Sequence, residues 1–249
     1  MSINVIVHGA SGRMGSEVVN LCAKAYKDAK CVARVALNGE GGSLASLNEY
    51  TGPADIIVDF SFHGTVGELM EYAVKRNLPV VVATTGHTDE ELQIIKDASE
   101  KIPVFHSANM SIGVALLCEL AVKTASVFPD ADIEIVEHHH NRKIDAPSGT
   151  ALMLANALSE AKDGAPIVSG RDGHMKRNPG EISVCAVRRG NIVGIHEVYV
   201  STDTQTITLT HEAHDRALFA EGALSAAAFM MGKGAGLYTV QDMIRQEEN

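Results

Sequence analysis

Short apolar runs alternate with amphipathic stretches through the first hundred residues. Runs at 3–7, 31–37, 56–60, 79–83 and 103–106 have the length and the Val/Ile content of buried strands. Between them, 14–25, 65–76 and 89–100 carry helical periodicity. Thr88 precedes the last of these and Glu91 follows three residues on, the reciprocal pair of a capping box. Gly39, Gly41, Gly42, Gly52 and Pro53 mark an irregular stretch. Strand and helix signals that alternate in this way predict a parallel sheet with helices on both faces.

The pattern changes near residue 111. Helical periodicity runs over 111–127 and 148–161, with a strand at 133–137 between them. Strand-like runs follow at 182–187, 196–200 and 204–210. In the last, Ile207 and Leu209 alternate with Thr206, Thr208 and Thr210, as on a half-exposed antiparallel sheet. Gly190-Asn191 and Thr202-Asp203 predict hairpin turns. An alanine-rich helix over 217–231 and a short one over 240–245 close the chain. The predicted fold class is α/β: a Rossmann-type doubly wound parallel sheet plus a second α+β domain with an open mixed or antiparallel sheet. An open sheet is also a ready surface for self-association.

Composition narrows the partners. The 249 residues are 45% hydrophobic, enough for one large domain or two modest ones. A net charge of −10 without a long basic run argues against nucleic acid or anionic membrane as a partner. The longest apolar run, 112–117, meets Cys118 and Glu119, well short of the roughly 18 residues of a spanning helix. The first residues lack the basic segment of a signal peptide. Cys22, Cys31, Cys118 and Cys185 form no Cys-x-x-Cys pair and read as reduced, mostly buried thiols of a cytoplasmic protein.

Gly9-Ala10-Ser11-Gly12-Arg13-Met14-Gly15 lies between the first strand and the first helix. Glycines there let the backbone approach a pyrophosphate, and the helix N–H groups hold its charge. The spacing is G-x-x-G-x-x-G rather than the commoner G-x-G-x-x-G, so a tight turn without a ligand is the competing reading. Phe60-Ser61 and Thr84-Thr85-Gly86 follow strands at the carboxyl edge where doubly wound sheets bind ligands. An acid at the end of the second strand would hold the ribose hydroxyls. Here that strand is expected to end Ala36-Leu37-Asn38, with Glu40 the nearest acid.

The segment from Val136 to Thr150 reads Val-Glu-His-His-His-Asn-Arg-Lys-Ile-Asp-Ala-Pro-Ser-Gly-Thr. It gathers His138, His139, His140, Arg142 and Lys143, then enters a helix start at Pro147-Ser148-Gly149-Thr150. A solvated basic loop is one reading. A metal site is another, though consecutive histidines on a strand face opposite ways and no further ligands complete a set, so no metal is expected. The third, an anion site with a proton donor, fits best: a histidine titrates near neutrality, lysine supplies charge, and helix N–H groups hold carboxylate.

These motifs resemble the 4-hydroxy-tetrahydrodipicolinate reductase family, long called dihydrodipicolinate reductase. The likeness spans nearly the whole chain and includes Asp59-Phe60-Ser61, Ala83-Thr84-Thr85-Gly86, Ser107-Ala108-Asn109-Met110-Ser111, His138 to Thr150, Val187 to His196 and Gly232 to Tyr238. The resemblance implies an oxidoreductase of lysine and diaminopimelate biosynthesis that uses NADPH or NADH on a small cyclic dicarboxylate. It implies His139 as proton donor, Lys143 as second catalytic residue, and His140, Lys143, Ser148, Gly149 and Thr150 around the substrate. It assigns Gly9, Ala10, Ser11, Gly12, Arg13 and Met14, with Asn38, Phe60, Ala83, Thr84, Thr85, Ser107, Ala108, Asn109 and Met110, to the nucleotide. It further implies a homotetramer, with residues 1–108 and 217–249 as the dinucleotide-binding domain and 109–216 as the substrate-binding and oligomerisation domain. Ala83 stands where many relatives have glycine, and Asn38 near where they have an acid. Another NAD(P)-dependent dehydrogenase of a small anion, built on an activated cysteine, and a non-catalytic nucleotide sensor are the competing functions.

Overall fold

A computed structural model describes residues 2–246. The chain forms two compact units, one of residues up to Ile112 together with those from Arg216 on, the other of Gly113–Asp215. In chain order the first unit begins β1 (Ile3–His8), α1 (Arg13–Ala23), β2 (Ala29–Val35), β3 (Ile56–Asp59), α2 (Val66–Arg76), β4 (Val80–Val82), α3 (Asp89–Ser99) and β5 (Pro103–His106). There follow α4 (Ile112–Val127), β6 (Asp132–His139), α5 (Gly149–Ala161), β7 (Ile167–Ser169), β8 (Ile182–Arg188), β9 (Gly194–Ser201) and β10 (Thr206–Ala213). The chain then returns to the first unit with α6 (Ala217–Met230), β11 (Gly236–Tyr238) and α7 (Val240–Gln246).

The first unit holds a wholly parallel sheet in the order β11-β5-β4-β3-β1-β2. Its central strands are buried on both faces, which is why they read as unbroken Val/Ile runs. Ile57, Leu69, Val80, Ile95 and Val104 are among the side chains that join sheet and helices in one core. α3 begins with the expected capping box: Thr88 Oγ1 accepts from the Glu91 amide at 3.3 Å, and Glu91 accepts from the Thr88 amide at 2.8 Å. From β1 the chain goes one way to β2 and then crosses back to β3, so a topological switch point lies between β1 and β3.

The second unit holds a mixed sheet, β10-β9-β6-β8-β7. β6 runs parallel to β8 and antiparallel to β9, with Ile133 opposite Ile182 and Ile135 opposite Val198. Leu117 and Ala121 of α4 and Leu154 and Leu158 of α5 pack on one sheet face against Ile133, Ile135, Val184 and Val198. The other face carries Val136, Val187, Ile195 and Tyr199, all half-buried.

Four sequence expectations change. β2 starts at Ala29 and stops at Val35, because the Val35 carbonyl accepts from both Gly9 N (2.9 Å) and Ala10 N (3.0 Å). Asn38 therefore sits beyond the strand, in a left-handed turn at φ 54°. β6 continues through His139, not only to residue 137. The Gly190-Asn191 turn joins no hairpin, because β8 and β9 lie on either side of β6, whereas Thr202-Asp203 does join paired strands. The three-residue strands β7 and β11 carry too few residues to show a period.

Candidate active site

The inner face of β6 carries Ile133, Ile135, Glu137 and His139 in alternation, all buried, so the apolar core gives way to charge at the strand's carboxyl end. Glu137 is 0% exposed and accepts from four donors. Arg188 reaches both its oxygens, at 2.8 and 2.7 Å. His139 Nδ1 lies 2.5 Å from Oε2, and the Ser148 amide 3.0 Å from Oε1. Burial pushes the Glu137 carboxyl up, but Arg188, His139 and the Ser148 amide outweigh it and hold the group below the usual carboxylate range. Strand register brings the partners in: Arg188 lies opposite His139 and His196 opposite Glu137.

Burial lowers His139 below the usual imidazole range; Glu137 opposes that shift, while Lys143 and Arg188 add to it. The His139 and His196 rings stand edge to face at 5.3 Å. His196, buried first and repelled by His139 second, is lowered to about 4, and its Nε2 lies 3.2 Å from Ser148 Oγ. Gly194 faces His139, and a Cβ there would come within 3.1 Å of Nε2.

Ser148 caps α5 by accepting from the Ala151 amide at 3.2 Å, so this buried residue has both hydroxyl and amide engaged. Gly149 and Thr150 form the first turn of α5. Lys143 Nζ pairs with Asp145 at 2.9 Å, and Lys143 holds that mostly exposed carboxyl below its usual range. The three consecutive histidines separate as alternation requires. His139 turns into the core, His138 stands on the opposite face 3.4 Å from Glu197, and His140 lies past the strand end, its amide donating to Ile192 O at 2.8 Å.

In the first unit, the expected nucleotide residues lie past the carboxyl ends of β1, β3, β4 and β5, with Asn38 in the turn beyond β2. Gly9 has φ +82°, and a Cβ on it would come within 2.4 Å of Phe60 O. A Cβ on Gly15 would stand 2.1 Å from Gly9 O, so only glycine lets α1 start against the loop. Gly12 is the N-cap of α1 and makes no side-chain capping bond. Ala83 and Met110 are buried, and Ser107 Oγ donates to Asn109 O at 2.7 Å. Asp59, 2% exposed, accepts from Thr84 Oγ1 at 2.7 Å and Ser61 Oγ at 2.5 Å, with His8 Nδ1 2.8 Å away, and so ties three strand ends together.

Sequence reasoning missed Glu137, Arg188, His196 and Asp59 as organising groups. Glu137-x-His139 was open to discovery, since residues two apart on a strand share a face. Arg188 and His196 come from later strands, and no local spacing announces them. Burial raises all four thiols, Cys22 to about 12, the opposite of the lowered thiol that the competing dehydrogenase chemistry needs.

A doubly wound sheet with a glycine loop at its switch point, joined to a unit that buries a His–Glu pair, places the chain among the NAD(P)H-dependent oxidoreductases. The family models for the N-terminus and C-terminus of dihydrodipicolinate reductase match residues 3–110 and 113–244. The chain is 43% identical to the 4-hydroxy-tetrahydrodipicolinate reductase of Caldanaerobacter subterraneus subsp. tengcongensis, over 99% of this chain and 100% of the relative. It is 40% identical to that of Alkaliphilus oremlandii, over 97% and 98%. A dipicolinate-bound dihydrodipicolinate reductase from a Paenisporosarcina species superimposes with a TM-score of 0.77 at 25% identity, covering 98% of this chain and 100% of that one. A myo-inositol dehydrogenase from Corynebacterium glutamicum shares the fold alone, at a TM-score of 0.61, 16% identity and coverage of 100% and 94%. The chain belongs to the dihydrodipicolinate reductase family.

Proposed function

We propose that this chain reduces 4-hydroxy-tetrahydrodipicolinate to tetrahydrodipicolinate, on the route to diaminopimelate and lysine. The observation that carries the chemistry is His139 bound through Nδ1 to a buried carboxylate, with Lys143 and the amino end of α5 nearby in the chain.

The glycine loop fits a dinucleotide. Gly9 and Gly15 keep a backbone cradle that any Cβ would fill, and α1 starts without a side-chain cap. The amides of Gly9, Ala10, Ser11, Gly12, Arg13 and Met14 would hold the pyrophosphate, and Asn38 the adenosine ribose. Phe60, Ala83, Thr84, Thr85 and residues 107–110 would line the rest. When bound, a reduced nicotinamide supplies the hydride.

The second unit supplies the dicarboxylate site. Lys143, His140 and the Gly149 and Thr150 amides hold the two carboxylates. Asp145, being exposed, is a partner that Lys143 exchanges at small cost for a substrate carboxylate. Ser148 positions the start of α5 rather than touching substrate, since its polar groups are engaged. His139 gives a proton from Nε2 to the ring carbon next to the one reduced. The 4-hydroxyl leaves as water together with a proton from the neighbouring ring carbon, and one hydride and one proton then enter. NADPH serves at least as well as NADH, the protein acts in the cytoplasm, and the second unit's sheet assembles it as a homotetramer.

The test is nicotinamide oxidation coupled to an upstream dihydrodipicolinate synthase. Oxidation should depend on the synthase. His139→Gln should lower kcat by about 10²–10⁴-fold with a modest change in KM. Lys143→Ala should also raise KM, since it removes a charge from an anion site. Synthase-independent oxidation, or near wild-type kcat/KM in both variants, would refute the assignment.

A further inference from the structure

Resting on that function, we propose that His139 takes up its proton as the dicarboxylate binds, while Glu137, locked by Arg188, is a positioning residue that directs delivery to Nε2. The geometry supplies both halves. Glu137 is fully buried, held by two Arg188 nitrogens and by the Ser148 amide, so it cannot turn away from His139 Nδ1. With Nδ1 fixed on Glu137, the proton free to leave is the one on Nε2. That atom faces Gly194, where the lack of a Cβ keeps its approach open.

The charges around the ring explain when the proton arrives. The groups facing it are Glu137 on its own strand, Arg188 on β8, His196 on β9, and Lys143 in the following loop; Asp145 pairs with Lys143, and His211 lies behind His196. Glu137 and Arg188 cancel, and so do Lys143 and Asp145. His196 is neutral down to about pH 4. His139 is thus a buried imidazole with no net charge around it, and burial keeps it neutral at neutral pH. A dicarboxylate brings two negative charges and displaces Asp145 from Lys143, leaving local negative charge that a protonated His139 balances. Negative charge brought beside an imidazole favours its protonated form, so dicarboxylate binding works against the burial that keeps His139 neutral.

Dipicolinate is the probe, titrated calorimetrically at about pH 7.5 into protein saturated with NADPH, in buffers of different ionisation enthalpy. Wild type should take up roughly one proton per site. His139→Gln should still bind dipicolinate without uptake. Glu137→Asp, which keeps the charge, should keep the uptake. Glu137→Gln should reduce it and should move the high-pH fall of kcat to lower pH, because an acid without its anionic neighbour loses its proton sooner. Uptake that persists in His139→Gln overturns the inference, as does wild type that binds dipicolinate with buffer-independent enthalpy. If the latter protein still turns over the synthase product, the function stands and only the inference fails. Absence of both turnover and binding sinks both.

Discussion

Asn38 joins a backbone constraint to a choice of charge. Its φ of 54° suits a short amide or carboxylate side chain and few others. Asn38→Asp therefore changes charge with little conformational cost. A carboxylate there would accept hydrogen bonds from the ribose hydroxyls of NADH and repel the 2′-phosphate of NADPH. The amide does not repel, and exposed Arg13 in the glycine loop offers a cation. Wild type should use NADPH at least as well as NADH, and Asn38→Asp should shift the ratio toward NADH by about ten- to a hundred-fold. Values of kcat/KM for both cofactors decide it. Glu40, exposed in the same turn, is the rival ribose ligand. A wild type that favours NADH tenfold, or a substitution that leaves the ratio unmoved, would assign the role to Glu40.

At the scale of elements, β6 separates what local sequence can carry from what it cannot. The cations and the helix start between Val136 and Thr150 were legible because they are local features, and α5 does begin at Gly149 with Ser148 as its cap. The alternating strands and helices of the first unit and the Thr88 capping box were legible for the same reason. Long-range pairing was not. Gly190-Asn191 looks like a hairpin turn in sequence, yet β6 separates the strands on either side of it. That insertion is also what delivers Arg188 and His196 to Glu137. The cost of burying these imidazoles should show in stability. His196 is lowered to about 4, so below its ordinary value the unfolded chain binds a proton that the folded chain refuses. Stability should fall as pH drops from about 6.5 toward 4, by at most about 3 kcal/mol from this residue. His87, His106, His139 and His211 are lowered too and add with the same sign. Thermal unfolding across that range should show a shallower slope for His196→Gln. Equal slopes would mean that His196 is not the group responsible.

At the scale of the whole molecule, each unit spends one sheet differently. The first buries both faces of a parallel sheet and carries the glycine loop at its carboxyl edge. The second packs helices on one face of a mixed sheet and leaves Val136, Val187, Ile195 and Tyr199 half-buried on the other. β10 ends that sheet as an eight-residue edge with Thr206, Thr208 and Thr210 exposed, a long unprotected edge for a monomer. Apolar side chains in the middle of a broad face, beside a long free edge, favour closure by other copies of the same chain. Val136 lies on the central strand β6, and as a half-buried residue of the open face it can be changed without entering the core. Val136→Lys would put an ammonium at the centre of that face, at a desolvation cost paid again in every subunit of an assembly. Sedimentation should give wild type a mass of four 26.5 kDa subunits and the variant a smaller species with an unchanged far-ultraviolet spectrum. A wild-type monomer, or a variant that stays tetrameric, would show that this face is not where the copies meet.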